Sequence, residues 1–109
     1  MNVRLYLWQR LTAALMLPLA VVHVAVIFYA TQRGLSAADL LARTQGSVMW
    51  GGFYTLFVLA IAIHAAIGIR NIVSEWMPLP RRTTGILAMA FGFALLLLGL
   101  RAVAAVVLV

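Results

Sequence analysis

Apolar residues run almost unbroken from Leu11 to Ala30, from Val48 to Ile69 and from about Thr84 towards the C-terminus, with short polar stretches between them. Each run matches the ~20 residues that a helix needs to cross a ~30 Å hydrocarbon core. The pattern predicts an all-α membrane protein, a single transmembrane domain over residues 1–109 with three spans over about 11–30, 48–70 and 84–107. Arg4 and Arg10 precede the first run as in a signal peptide, but the run exceeds the ~7–15 residues of such a segment, so it reads as an uncleaved helix. Pro18 inside it predicts a bend.

After the first run Gly34 breaks the helix, and Ser36-Ala37-Ala38-Asp39 has the approximate form of a capping box, which predicts a short surface helix over about 36–44. From Glu75 to Arg82 two prolines forbid a continuous helix, while Trp76, Arg81 and Arg82 suit a membrane interface. At 1.5 Å per residue Arg101 lies about 27 Å beyond Arg82, at the opposite interface. Gly85, Ala88, Gly92 and Gly99 recur at helical spacing in the third run, a stripe that lets another helix backbone approach closely.

Composition removes the soluble alternatives: 66% of residues are hydrophobic, 9% are charged, and the mean hydropathy is +1.12. The net charge of +6 comes from eight arginines against Asp39 and Glu75. These arginines sit at the ends of apolar runs and not along one face, so they mark membrane boundaries and lipid headgroups, not nucleic acid. Arg4, Arg10, Arg70, Arg81 and Arg82 flank one side and Arg33 and Arg43 the other, which places the N-terminus in the cytoplasm. The absence of Cys excludes thiolate-held iron–sulfur clusters and covalent c-type haem from this chain.

Two ionisable side chains lie well inside the hydrocarbon, His23 and His64, and such residues are functional candidates because burying them is costly. Imidazole is an axial ligand of b-type haem, and a flat porphyrin needs small residues beside it. Gly52, Ala60 and Gly68 lie at multiples of four from His64, and Ala20 lies near His23. His23 is about 20 Å from the interface marked by Arg10, and His64 about 9 Å from that marked by Arg70. The levels differ by roughly 10 Å, too far for one iron, so each histidine would need a partner imidazole from another subunit. The competing reading is a histidine bonded to a Ser, Thr or backbone carbonyl of a neighbouring helix, in a non-redox structural or assembly subunit. Arg10 and Arg70 suit a haem propionate or a quinone carbonyl, and equally suit topology anchors. Tyr6, Trp8, Gln9 and Thr12 around Arg10 offer hydrogen bonds beside apolar walls, as a quinone headgroup or an interfacial aromatic belt requires.

His64-Ala65-Ala66-Ile67-Gly68-Ile69-Arg70-Asn71 resembles the His-x-x-x-Gly-Ile-Arg-His signature of the cytochrome b anchor subunits of succinate dehydrogenase and fumarate reductase, and Gln9-Arg10-Leu11-Thr12-Ala13 is similar to their His-Arg-x-Ser/Thr-Gly. The likeness covers about residues 4–76; Gln9, Ala13 and Asn71 depart from it, standing where the family commonly has His, Gly and His. The resemblance implies half of a helical bundle in a bacterial inner membrane, completed by a second hydrophobic anchor subunit and capped by an iron–sulfur subunit and a flavoprotein. It implies one or two haem b groups shared with that second subunit, with His64 a ligand of the haem nearer the cytoplasm. Two-haem members also carry a ligand on the first helix, which implies the same of His23. Arg10 and Thr12 would border the quinone site and a propionate, with Gly68 and Arg70 beside the haem. Electrons would then pass from a dicarboxylate such as succinate to membrane quinone.

Overall fold

The computed structural model describes residues 3–108. These form four helices, α1 (Val3–Arg33), α2 (Ala37–Thr44), α3 (Val48–Trp76) and α4 (Arg81–Val107), with no strand among them. α1, α3 and α4 are each long and apolar enough to cross a membrane. All three outrun their apolar windows, because a window marks the thickness of the hydrocarbon whereas a helix propagates until a residue stops it. Thus Glu75 and Trp76 belong to α3, and Arg81 and Arg82 begin α4. The stop is Pro78: it drives Met77 out of the helical region, to φ −126° and ψ 137°. Pro18 sits inside a continuous α1. The longest dimension, 49 Å, slightly exceeds the ~40–45 Å of a bilayer with its headgroups.

The connection between α1 and α3 is built from local signals. Gly34, at φ +63°, ends α1 while Leu35 N–H donates to the Ala30 carbonyl (3.0 Å) and Gly34 N–H to that of Thr31 (3.2 Å), the six-residue closure that favours a glycine. Ser36 then caps α2, its hydroxyl accepting from Asp39 N–H (3.2 Å) while its own N–H donates to the Asp39 carboxylate (2.9 Å). Hydrogen bonds that Ser36 gives to the Asp39 carboxylate, from its backbone N–H foremost and then from its side chain, hold that carboxyl below its ordinary 3.8. A lowered carboxyl stabilises above the ordinary carboxylate range and stops doing so as the pH falls through its own value, so this cap is complete at neutral pH. α2 covers the C-terminal end of α4: Thr44 Oγ1 donates to the Val106 carbonyl (2.6 Å), and Gly46 N–H, at φ +71°, to that of Val107 (2.7 Å). Two carbonyls that a helix end leaves open are thereby satisfied.

α3 is the central helix, packed against α1 on one side and α4 on the other. Its seam with α4 is made of small residues: Ala62, Thr84, Ala88 and Gly92 are buried, and no large side chain is fully enclosed among the described residues. A Cβ on Gly92 would lie 2.7 Å from Ala66 Cβ, and one on Gly99 would lie 2.5 Å from Val58 Cγ1. Gly85, expected in the same stripe, meets nothing within 4 Å. α1 is held far more lightly, with Thr12 its only buried residue. Large apolar side chains such as Leu17, Val21, Val24 and Phe28 face outward, as the low cohesion between helices in lipid allows.

Gly92→Ala is expected to destabilise the α3–α4 seam by about 1–3 kcal/mol, because the Ala66 methyl cannot move without its backbone. Gly85→Ala should be neutral or stabilising by up to about 1 kcal/mol through helix propensity. Unfolding in mixed detergent and denaturing surfactant measures both; equal effects would refute the close approach at Gly92.

Candidate functional site

The residue that ties α1 to α3 is Thr12, 3% exposed. Its Oγ1 lies 2.8 Å from the Trp8 carbonyl, 3.1 Å from that of Gln9 and 3.2 Å from His64 Nδ1. Carbonyls only accept, so the single hydroxyl proton goes to the nearer of them, Trp8, and the oxygen lone pair is turned to His64. His64 Nδ1–H therefore donates to Thr12, which fixes the imidazole tautomer with an unprotonated Nε2. Among the described residues Nε2 makes no hydrogen bond, and it is not among the buried unpartnered atoms. An imidazole held through Nδ1–H with Nε2 free is the arrangement of a metal-ligating histidine. On this ground His64 fits a haem iron.

One turn further along α3, Gly68 faces Gln9 of α1, whose Nε2 would be 3.5 Å from a Cβ there. Gln9 Oε1 is buried with no hydrogen-bond partner, an acceptor left open beside the His64 pair. Ala60, expected to line the same haem-facing side, is 3% exposed and already enclosed by the protein, whereas Gly52 meets nothing within 4 Å. Arg10 is exposed, its guanidinium 6.0 Å from the ring of Tyr6 on the same helix. Arg70 points elsewhere, into a cavity of about 510 Å³ that it lines with Asn71, Ser74, Arg81 and Thr84. Arg10 does not line that cavity, so the structure separates the two arginines that the sequence grouped. Arg81 and Ser74 are additions that no motif announced; they become neighbours of Arg70 only once α4 folds back along α3.

His23 occupies a different level. Its ring stands edge-on to Tyr54 and Phe57 of α3, each at 5.7 Å between centroids. Those positions precede His64 by ten and seven residues, so the two histidines lie about 10–15 Å apart along α3. His23 Nδ1 is buried and has no hydrogen-bond partner. The two imidazoles are thus both separated and differently prepared. Tyr54 and Phe57 were not expected near His23, because only the antiparallel register set by Thr12 and His64 brings them there.

The family model described as Succinate dehydrogenase/Fumarate reductase transmembrane subunit matches residues 2–100. No curated protein and no solved structure matches the chain.

Thr12→Val keeps the shape but removes the acceptor of His64 Nδ1–H, and is expected to destabilise the α1–α3 pair by about 1–3 kcal/mol. Thr12→Ser should recover most of that loss. A double-mutant cycle with His64→Ala checks the pairing: purely additive losses would mean that the two side chains do not interact.

Proposed function

The chain belongs to the family of succinate dehydrogenase/fumarate reductase transmembrane subunits, and on that footing we propose that it is the haem b-binding membrane anchor of such a complex, carrying electrons towards membrane quinone. The observation that carries this reading is the bond from His64 Nδ1–H to Thr12, with Nε2 left free. A histidine serving only to pack helices would satisfy the competing structural reading with that same Thr12 bond. The unpartnered Nε2 favours the redox reading, because a polar ring atom without a partner in hydrocarbon is retained at a cost.

His64 would hold the iron from this chain, and the second axial ligand would come from a second hydrophobic subunit, since His23 lies about 10–15 Å away along α3, beside Tyr54 and Phe57. When bound, haem b accepts and releases one electron at a time. This chain's residues do the rest. Thr12 holds the His64 proton on Nδ1 and so keeps Nε2 basic. Gln9 Oε1 offers an acceptor beside them to a quinol hydroxyl. Arg70 and Arg81 both line one cavity, which suits a propionate or an acidic group of a docking subunit. Arg10, exposed at the end of α1, is in reach of quinone and of headgroup phosphates alike.

In this reading the lightly held α1 and the apolar flanks of the bundle meet the second anchor subunit, which completes a bundle of which this chain is half. The chain has neither a dinucleotide-binding glycine fingerprint nor a cysteine, so flavin and iron–sulfur clusters reside in a flavoprotein and an iron–sulfur subunit. These dock on the cytoplasmic side of a bacterial inner membrane, the side where the arginine count places the N-terminus.

His64→Ala is expected to abolish the haem bound by this chain while the protein still inserts and assembles, as read by the haem-to-protein ratio and a reduced-minus-oxidised spectrum. An unchanged ratio would remove His64 as a ligand. Thr12→Val should keep the haem band but weaken retention of haem about 10–100-fold, the usual effect of losing a partner of a ligating imidazole.

A further inference from the structure

At the end of the bundle opposite α2, the cavity of about 510 Å³ lies between the last turns of α3, the first turn of α4 and Leu5 of α1. Arg70 and Ser74 line it from α3, Arg81 and Thr84 from α4, and Leu79 from the turn between them. Its two hydroxyls spend their protons on their own helices: Ser74 donates to the Asn71 carbonyl (2.9 Å) and Thr84 to that of Pro80 (3.3 Å). The two arginines are the charged groups of its lining.

No carboxylate of this chain balances them. Asp39 and Glu75 are its two acids. Asp39 is tied to Ser36 in the cap of α2, at the far end of α4 and about 40 Å away by helical rise. Glu75 is exposed and does not line the cavity. Like charges brought to one cavity repel, and the edge of the hydrocarbon screens them less than water does, so an anion is the occupant that lowers the energy. α4 adds to the positive potential, since it begins at Arg81 with no side-chain cap on its first N–H groups.

The surroundings specify which anion. The arginines come from separate helices, so an occupant that meets both needs acceptor oxygens on more than one side, which a tetrahedral phosphate offers and a planar carboxylate does less well. Arg70 closes the apolar run of α3, and Trp76 just beyond it is 81% exposed, which sets the cavity at the level of lipid headgroups. Leu5 and Leu79 beside the arginines suit the apolar part of an amphipathic ligand, and the volume leaves room for more than a phosphate alone. We infer that this cavity binds the phosphate of an anionic phospholipid, held by Arg70 and Arg81.

Equilibrium binding of a labelled phosphatidylglycerol to the purified membrane complex in mixed micelles tests this, with phosphatidylcholine of the same acyl chains and inorganic phosphate as competitors. Arg70→Gln and Arg81→Gln should each weaken the same class of sites about tenfold or more, the effect of a charge-assisted hydrogen bond. Arg82 is exposed and does not line the cavity, so Arg82→Gln removes the same charge one residue away and should leave binding unchanged. Each variant keeps enough flanking arginines for insertion. An Arg82→Gln loss equal to that of Arg81→Gln would reduce the site to diffuse surface charge and overturn the inference. Displacement by phosphatidylcholine as effective as by unlabelled phosphatidylglycerol would also overturn it, and displacement by inorganic phosphate at the lipid's own concentration would assign the site to a soluble phosphate instead. Unchanged lipid binding in either cavity variant counts against it too; loss of haem or of the water-soluble subunits from that variant would then assign the cavity to a carboxylate. A complex with no haem at His64 would sink the functional reading above and leave this result standing.

Discussion

Inside hydrocarbon a polar atom has no water to turn to, so each must find a protein partner or keep a place for something that arrives later. Thr12 and His64 answer that constraint together. The threonine settles its proton on the turn before it and presents its oxygen to the ring of the neighbouring helix. α1 has no other buried residue, so its alignment with α3 rests heavily on this one contact. With Thr12 level with His64, Gln9 falls opposite Gly68, and His23 falls among Tyr54 and Phe57. The hydrogen bond between Thr12 and His64 is one of the contacts, with Gln9 against Gly68 and His23 against Tyr54 and Phe57, that share this register.

The rest of the bundle is a platform for that alignment. Gly92 and Gly99 let α4 approach α3 at distances where a methyl group would collide, so the pair holds together without large buried side chains. At one end α2 and the turn after it close on the terminus of α4 by two hydrogen bonds to its carbonyls; at the other, Pro78 and Pro80 turn the chain, and Arg81 and Arg70 line one cavity. The two ends differ chemically as a result. One has a cavity lined by Arg70 and Arg81, and the other a mainly apolar cavity lined by His23 and Tyr54.

The three spans, the capped surface helix and the two intramembrane histidines could all be read along the chain, because each depends on composition over one helix or on a motif a few residues long. Hydrophobic runs of span length have few other outcomes. Gly34 and the Ser36–Asp39 pair act within a single turn, where neighbours in sequence are neighbours in space. Helix ends were harder to place, since polar residues such as Arg4, Gln9 and Glu75 continue a helix beyond the hydrocarbon as readily as they leave it.

What no run or motif contains is the register between helices. His23 and His64 look alike in sequence, each a lone imidazole in an apolar span. The fold gives one a threonine on its Nδ1 and leaves the other's Nδ1 buried with no hydrogen-bond partner among the described residues, so the two rings are held in different ways. Arg10 and Arg70 likewise look like a pair at one interface, yet the rotation of their helices sends one over Tyr6 and the other into a cavity with Arg81. The kind of helix follows from the order of its residues, whereas the partner of a side chain depends on which faces of separate helices come together, and that is an outcome of packing.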